Sequence, residues 1–444
     1  MGRDEEKEFV LKRAKDQDVK FIRLWFTDIL GSLKSFAITV EELEEALEEG
    51  MSFDGASIEG FARSDESDMV AFPDSTTFQL LPWRPHDRNA VARMFCDILR
   101  TNGEPFEGDP RYVLKRNLKR VADMGLTYYV GLEVEHFYFQ SADGTHPLDQ
   151  GGYFDLTPLD VASDLRRETV LALEEMGIGV ESSHHEVAPS QHELDLRYTD
   201  ALTMADSLMT YRLVVKEVAL KHGVYATFMP KPLAGQNGSG LHINQSLFRG
   251  EKNAFSQPDD KYHLSSLARS YLAGLLRHAP EITAVTNQWV NSYKRLVPGY
   301  EAPVYVSWAM RNRSDLIRIP EYKEGKETAT RVELRSPDPA CNPYLAFSVI
   351  LAAGLEGIEK GYVLGEPTTG NVLEMSEGER RERGIVPLPS DLLEAVRLTE
   401  GSHLAKKCLG DHVFESFVKN KKIEWESYRR QVTDYELKRY LPVL

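Results

Sequence analysis

The sequence is poor in cysteine. Its 444 residues include only three cysteines, Cys96, Cys341 and Cys408, which lie far apart and form no Cys-x-x-Cys pair. We therefore expect neither a disulfide framework nor a zinc site built from thiolates. This cysteine usage is typical of the reducing cytoplasm, where we expect the protein to reside.

Long apolar runs and an excess of positive charge are also missing. The longest mostly apolar segment, 344–355, is too short to span a bilayer, and residues 1–6 lack the apolar stretch of a signal peptide. Lys and Arg number 53 against 69 Asp and Glu, which gives a formal net charge of −16. We expect no binding to nucleic acid or to an anionic membrane, although a local basic pocket for a phosphorylated ligand is compatible with this charge.

What remains is the composition of a globular protein, with 42% hydrophobic and 27% charged residues. Strands are predicted at 19–26, 77–83, 90–98 and 127–140, and helices at 38–49, 111–124, 160–176, 203–222, 262–279 and 343–361. Turn residues crowd segment 100–110, where we place the boundary between a strand-rich domain, 1–104, and a mixed domain, 105–444. Because regular βαβ units are absent, the predicted fold class is α+β.

Four segments place carboxylate, imidazole or guanidinium groups at alternate positions, the spacing that shares one face of a strand. They are Glu133 and Glu135; Glu333 between Arg331 and Arg335; His242, Asn244 and Ser246; and the segment with Glu181, Glu186 and Glu193. A cation removes the repulsion between carboxylates on one face, and oxygen ligands with an imidazole suit Mg²⁺ or Mn²⁺ better than zinc. Any one segment is explained better by a solvated sheet face than by a metal site, but four together favour a metal site.

A loop with a single carboxylate follows at 291–303. Glu301 lies between Pro298 and Pro303, which is the setting of a movable lid or of a plain surface turn. Arginines then cluster at positions 311, 313, 318, 331 and 335. They predict a pocket for carboxylate and phosphate oxygens, with surface ion pairs as the alternative. Metal carboxylates and arginines together indicate phosphoryl transfer involving an acidic substrate, although a Walker-type loop is absent.

These segments, together with 53–60 and 231–246, resemble glutamine synthetase type I over essentially the whole chain, and the length and pattern resemble its alpha subclass. The resemblance implies a small N-terminal β-grasp domain and a larger catalytic domain with an antiparallel sheet and helices. It also implies a dodecamer of two stacked hexameric rings, with active sites between subunits. The implied reaction joins glutamate and ammonium, using ATP, through γ-glutamyl phosphate.

The resemblance further implies a role for each matching residue. One metal ion has the ligands Glu135, Glu186 and Glu193, and a second has Glu133, His242 and Glu333. The residues implied to bind the substrate are Asn237, Gly238, Arg295, Glu301, Arg313 and Arg335. The residues implied to bind the nucleotide are Glu181, Tyr198, Asn244, Ser246, Arg318 and Arg331. Arg313 acts in catalysis, Glu301 closes the site against water, and Asp54 of a neighbouring subunit binds ammonium and accepts its proton.

Some positions depart from the family pattern. Asn244 stands where many members have histidine, and Leu373 stands where the beta subclass has its adenylylated tyrosine, so we expect no control by adenylylation. Arg63 matches an arginine linked to glutamine feedback. A γ-glutamyl-amine ligase that uses a polyamine, ethanolamine or methylamine is the alternative function, and a non-catalytic structural homologue is a third. Intact Asp54 and Glu301 favour ammonia.

Overall fold

The computed structural model describes residues 2–62, 68–84, 88–323 and 325–444. Its strands are β1 (Val19–Thr27), β2 (Leu33–Thr39), β3 (Met51–Asp54), β4 (Asp68–Pro73), β5 (Gln79–Leu80), β6 (Ala90–Arg100), β7 (Thr127–Phe139), β8 (Val180–His185), β9 (Gln191–Asp200), β10 (Tyr225–Thr227), β11 (Leu241–Arg249), β12 (Lys252–Asn253), β13 (Trp308–Ala309), β14 (Ile317–Arg318) and β15 (Val332–Leu334). Its helices are α1 (Arg3–Asp16), α2 (Leu43–Glu49), α3 (Pro110–Asp123), α4 (Ser163–Glu175), α5 (Ala201–Lys221), α6 (Ser266–Thr286), α7 (Ser292–Arg295), α8 (Pro343–Lys360), α9 (Glu377–Glu382), α10 (Leu392–Glu400), α11 (His403–Leu409), α12 (Asp411–Tyr428) and α13 (Asp434–Tyr440).

The first sheet has the strand order β2-β1-β6-β4-β3, with β5 pairing beside β6. β1 and β6 run parallel, and the other pairs run antiparallel. Alternation along β1 buries Ile22 and Leu24 in a core that also receives Val10 of α1 and Leu43 of α2. β3 is an edge strand of this sheet, and Asp54 is its last residue.

The second sheet has the order β13-β14-β15-β11-β7-β9-β8, with β10 beside β7 and β12 beside β11. Its pairs are antiparallel except β13 with β14. Val130, Leu132 and Val134 of β7 enter the main core, which residues of α5, α6 and α8 complete. Because side chains alternate along a strand, the residues between them face the opposite side of the sheet.

Helices α6 and α8 approach each other closely because glycines line their contact. A Cβ atom at Gly357 would lie 2.1 Å from the Ser270 carbonyl oxygen, and one at Gly274 would lie 2.2 Å from the Ala353 carbonyl oxygen. The helix pair also contacts the sheet, since the Tyr271 hydroxyl donates to Gln245 Oε1 of β11 at 2.6 Å. The close helix contact therefore forms part of the support behind β11.

The structure confirms the α+β class, but the predicted strand at 77–83 is wrong. Asp74 Oδ1 accepts hydrogen bonds from the amide and hydroxyl of Thr76, at 3.2 and 2.6 Å, and residues 75–77 form a 3₁₀ turn. Only Gln79–Leu80 then pairs with β6. An aspartate that binds a nearby backbone N–H competes with strand pairing, and this competition keeps residues 75–77 out of the strand.

Three predicted helices begin later than expected, and the shortest delay is that of α4, which was predicted from residue 160 and starts at Ser163. The helix predicted at 38–49 starts at Leu43, because β2 continues to Thr39 and a 3₁₀ turn intervenes. The helix predicted at 262–279 starts at Ser266, because the Asp260 carboxylate accepts the amides of Tyr262 and Leu264. Across the described ranges, no helix is long and apolar enough to cross a membrane.

Candidate active site

One polar face of the second sheet gathers the carboxylates that the sequence places at alternate positions. The strand registers set Glu133 of β7 opposite His242 on β11 and opposite Asp195 on β9. Glu135 lies two residues further along β7, opposite Glu193. Because residues two apart on a strand point to the same side, these five side chains share one face.

Three overlapping groups of candidate metal-binding atoms lie on this face. Each brings three atoms within 4.8 Å of one another, and the groups are Glu133, His242 and Glu333; Glu135, Glu193 and His242; and His184, Glu186 and Glu193. The first group is the ligand set expected for one metal ion. The three residues expected for the other metal ion do not form one group, because Glu135 and Glu186 are each grouped with Glu193 separately.

Burial makes the acidic face costly to charge. It raises the pKa of Glu135 to about 8, and the Glu186 carboxylate adds to the effect. Burial also raises the pKa of Glu186, Glu193 and Asp195, and further carboxylates nearby reinforce each shift. A divalent cation would offset this cost, and a donor set of carboxylates with one or two imidazoles fits Mg²⁺ or Mn²⁺.

His242 and Glu133 form the hydrogen-bonded centre of the face. Burial and the Arg335 guanidinium lower the pKa of His242, which favours the neutral imidazole that binds metal ions. His242 Nδ1 lies 2.8 Å from Glu133 Oε2, and Asn244 Nδ2 donates to Glu133 Oε1 at 3.0 Å. These bonds outweigh the burial of Glu133 and lower its pKa to about 2. Glu133 is therefore ionised more easily than Glu135.

Arginines reach the same face from β14, β15 and their flanks. The side chain of Glu333 is fully buried, contacts the Arg335 guanidinium and accepts from Arg318 Nε at 2.6 Å. Arg331 Nε donates to Asn244 Oδ1 at 3.0 Å. Guanidinium groups next to a carboxylate cluster can bind the anionic oxygens that the carboxylates repel.

Two cavities meet at this face, and Glu133 lines both of them. The smaller has a volume of about 80 Å³, and its predicted lining residues are Glu133, Glu135, Glu186, Glu193, Asn237, Gly238, His242, Glu301, Arg313, Arg318 and Arg335. The larger, of about 330 Å³, is lined by the predicted residues Glu181, Tyr198, Asn244, Ser246 and Arg331. The structure thus gathers most residues expected at the metal ions and substrate in one cavity, and most of those expected at the nucleotide in the other.

Three predicted site residues, Glu333, Arg295 and Asp54, line neither cavity. The buried guanidinium of Arg295 donates to three backbone carbonyls of segment 335–337, at 2.6 to 3.1 Å. Asp54 lies on the first sheet, where its carboxylate accepts from the Ala56 amide at 2.9 Å. Arg63 lies outside the described residues.

Among the residues at the site that were not predicted, four carry polar groups near the carboxylates. Tyr153 and Gln191 line the smaller cavity, Asp195 lines the larger, and His184 lies 3.4 Å from a Glu193 oxygen. Gln191 Nε2 donates to Glu135 Oε2 at 2.8 Å and to the Gly238 carbonyl at 3.0 Å. Gln191 and Asp195 lie two residues before and after Glu193 on the same strand, so the alternating pattern could have predicted both. Tyr153 lies in a loop and carries no such signal.

Comparisons with known proteins identify the family. The glutamine synthetase catalytic domain matches residues 107–440, and the glutamine synthetase beta-grasp domain matches residues 18–101. The chain is 56% identical to the glutamine synthetase of Mycolicibacterium smegmatis, with 99% of each chain covered. It is 55% identical to that of Methanosarcina mazei, covering 99% of this chain and 98% of the relative. The chain belongs to the glutamine synthetase family.

Solved structures of the family share the fold. A structure described as a GmaS/ADP complex superposes with a TM-score of 0.89 at 32% identity, covering 98% of this chain and 99% of the other. The N-terminal β-grasp domain and the larger mixed catalytic domain are therefore confirmed, as is the prediction of an enzyme of the glutamine synthetase family. This family uses ATP and divalent metal ions, which agrees with the donor set on the sheet face.

We expect the affinity of the metal-free protein for Mn²⁺ to rise by roughly tenfold per pH unit between about pH 6 and about pH 8. The pKa of Glu135 is about 8. At a pH below this value the carboxylate holds a proton that the cation must displace, whereas at a higher pH it is already ionised. Electron paramagnetic resonance of free Mn²⁺ measures this affinity. Glu135→Gln removes one titrating group and should make the profile less steep, although Glu186 and Glu193 still titrate. A flat profile in the unmodified protein would contradict the assignment.

Proposed function

We propose that the protein is of type I, alpha subclass, and joins ammonium to the γ-carboxylate of glutamate, using ATP and forming γ-glutamyl phosphate. The observation that carries this proposal is the meeting of the two cavities at Glu133. The larger cavity would hold the nucleotide, with its phosphates directed over the carboxylate face towards the smaller one. Full-length relatives named glutamine synthetase, at 48–56% identity, support the same reaction.

The acidic groups of the face would hold two or more Mg²⁺ or Mn²⁺ ions, with Glu133, His242 and Glu333 as one ligand set and Glu135, Glu186 and Glu193 as the other. Bound divalent cations neutralise phosphate charge and polarise the phosphoryl group. Arg318 and Arg335, already beside Glu333, would share the charge that moves onto the transferred phosphoryl oxygens.

The glutamate subsite would lie around Asn237 and Gly238. The Gly238 carbonyl is held by Gln191 Nε2, so its direction is set before substrate binds. Arg313 would contact the substrate directly. Arg295, whose guanidinium is engaged by three carbonyls, would act from behind by holding segment 335–337 in place. Substrate binding by such pre-positioned groups lowers the entropic cost of reaching the reactive geometry.

The loop with Glu301 would close the smaller cavity against water. Glu301 is exposed and lies 3.4 Å from Asn237 Nδ2, while the Lys231 ammonium sits 3.4 Å from the centre of the Tyr300 ring. Gly299 adopts a φ of +94°, which favours glycine over any residue with a Cβ atom. These contacts hold the loop over the cavity, where exclusion of water would protect an acyl phosphate from hydrolysis.

The ammonium subsite would be shared between two subunits. Asp54 lines neither cavity of its own chain and lies at the edge strand β3, so it would reach the site of a neighbour. There it would hold ammonium and accept the proton that must leave before nitrogen attacks. We propose the dodecamer of two hexameric rings as the assembly, the cytoplasm as its location and 1–104 and 105–444 as its two domains.

The reaction is tested by phosphate release from ATP with Mg²⁺ and glutamate, comparing ammonium with methylamine, ethanolamine and putrescine. We expect the highest kcat/KM with ammonium and stoichiometric glutamine, because Asp54 and Glu301 place negative charge where a small cation is to bind. Turnover confined to a larger amine would overturn the substrate and favour the γ-glutamyl-amine ligase. Absence of turnover with all four would favour a non-catalytic homologue.

Sharing of the site is tested by mixing two inactive variants, Asp54→Asn and Glu135→Gln, in one assembly by co-expression. If each site takes Asp54 from one subunit and Glu135 from its neighbour, about one quarter of the sites regain both groups in a random mixture. Glutamine formation should return to about that fraction. Two differently tagged Asp54→Asn chains form the control and should stay inactive. Failure of the mixed assembly to recover any activity would contradict a shared site.

A further inference from the structure

A buried ion pair lies behind the acidic face, outside both cavities. His185, the last residue of β8, and Asp149 have side chains that are 0% and 2% exposed, and His185 Nε2 lies 3.0 Å from Asp149 Oδ1. The other ring nitrogen, Nδ1, lies 2.6 Å from the backbone carbonyl oxygen of Glu186. Both nitrogens of His185 thus face an oxygen acceptor, and the ring joins Asp149 to the backbone of Glu186.

Asp149 also forms hydrogen bonds with the far end of the turn that joins β8 to β9. Its Oδ1 accepts from the Ser190 amide at 2.9 Å, and its own amide donates to Ser190 Oγ at 3.0 Å. Ser190 has a φ of +59°, a conformation that residues with a Cβ atom rarely adopt. One carboxylate therefore holds both ends of turn 186–190, directly at Ser190 and through His185 at Glu186.

This turn carries two residues of the smaller cavity. Glu186 begins it, and Gln191, which follows it, bonds both Glu135 and the Gly238 carbonyl. The Glu186 amide closes the turn by donating to the Gln191 carbonyl at 2.7 Å. A shift of the turn would therefore move one carboxylate of the face and release the bond that orients another.

The pair is not itself arranged as a metal site, although Asp149, His185 and His192 form a group of ligand atoms within 4.8 Å. Each ring nitrogen of His185 already lies within hydrogen-bond distance of an oxygen, so binding a metal ion there would break one of these contacts. The guanidinium of Arg166 lies beside the third member, with Nη1 2.8 Å from His192 Nδ1. A fixed positive charge at that distance repels a cation.

We infer that Asp149 and His185 are positioning residues that fix Glu186 and Gln191 for metal binding on the acidic face. The inference rests on the proposed function, because it assigns the metal ion to that face. Partners that orient metal ligands typically change metal affinity by about 10- to 100-fold when removed. Here Asp149 and His185 bond the backbone of turn 186–190, whereas such partners usually bond the metal-binding side chain itself.

The test compares Asp149→Asn with Asp160→Asn. Both replacements remove a buried carboxylate charge, but Asp160 pairs with Arg166 and has no bond to turn 186–190. We expect Mn²⁺ binding by the intact assembly without nucleotide, followed by electron paramagnetic resonance, to weaken by about tenfold in Asp149→Asn at one class of site. Asp160→Asn should bind as the unmodified protein does. Excess metal should restore most of kcat in Asp149→Asn, which a general loss of structure would not allow.

A second variant keeps the inference testable if Asp149→Asn folds poorly. His185→Gln retains an amide that can reach Asp149 but loses the donor to the Glu186 carbonyl, and it should weaken Mn²⁺ binding in the same way. Unchanged affinity in well-folded Asp149→Asn or His185→Gln would overturn the inference. Loss of one whole equivalent of metal with unchanged affinity elsewhere would also overturn it, since the pair would then be a metal site. Binding is measured without turnover, so these outcomes do not depend on the ammonium assay.

Discussion

Repulsion among buried carboxylates is the constraint on which the rest of the site depends. Glu133, Glu135, Glu193 and Asp195 share one face of two adjacent strands, and burial raises the pKa of all but Glu133. The fold supports this arrangement from behind with an apolar core and tightly packed helices, and from the sides with arginines. A sheet face that is costly to charge without cations and surrounded by guanidiniums is suited to bind a metal–phosphate complex.

Positive groups on the two sides of this face have different tasks. Arg318 and Arg335 contact Glu333 and remain at the smaller cavity, where they can bind anionic oxygens. Arg295 is enclosed by backbone carbonyls, and Arg166 is paired with Asp160 beneath the sheet. The same residue type therefore serves as backbone support and as buried counter-charge, and under the proposed function it also contacts the ligand; only the surroundings distinguish these roles.

How much the sequence could predict follows from which features are local. Alternation along a strand is local, so the shared faces of β7, β9, β11 and β15 were predictable from residue order. Their convergence depends on strand register, which no single segment contains, and the family resemblance supplied that information. Loop residues such as Tyr153 carry no periodic signal. The inward turn of Arg295 depends on contacts with segment 335–337 that composition and spacing do not encode. The bond from the Thr76 amide to Asp74 is local, but the apolar pattern of the segment does not reveal it.

The central claim is that the sheet face holds two divalent cations, and crystals soaked in Mn²⁺ test it most directly through anomalous scattering. The account predicts one peak among Glu133, His242 and Glu333, and another at Glu193 between Glu135 and Glu186. Peaks at both places would establish the face as the metal centre to which the two cavities lead. Bound Mn²⁺ found only elsewhere, with neither position occupied, would contradict the account.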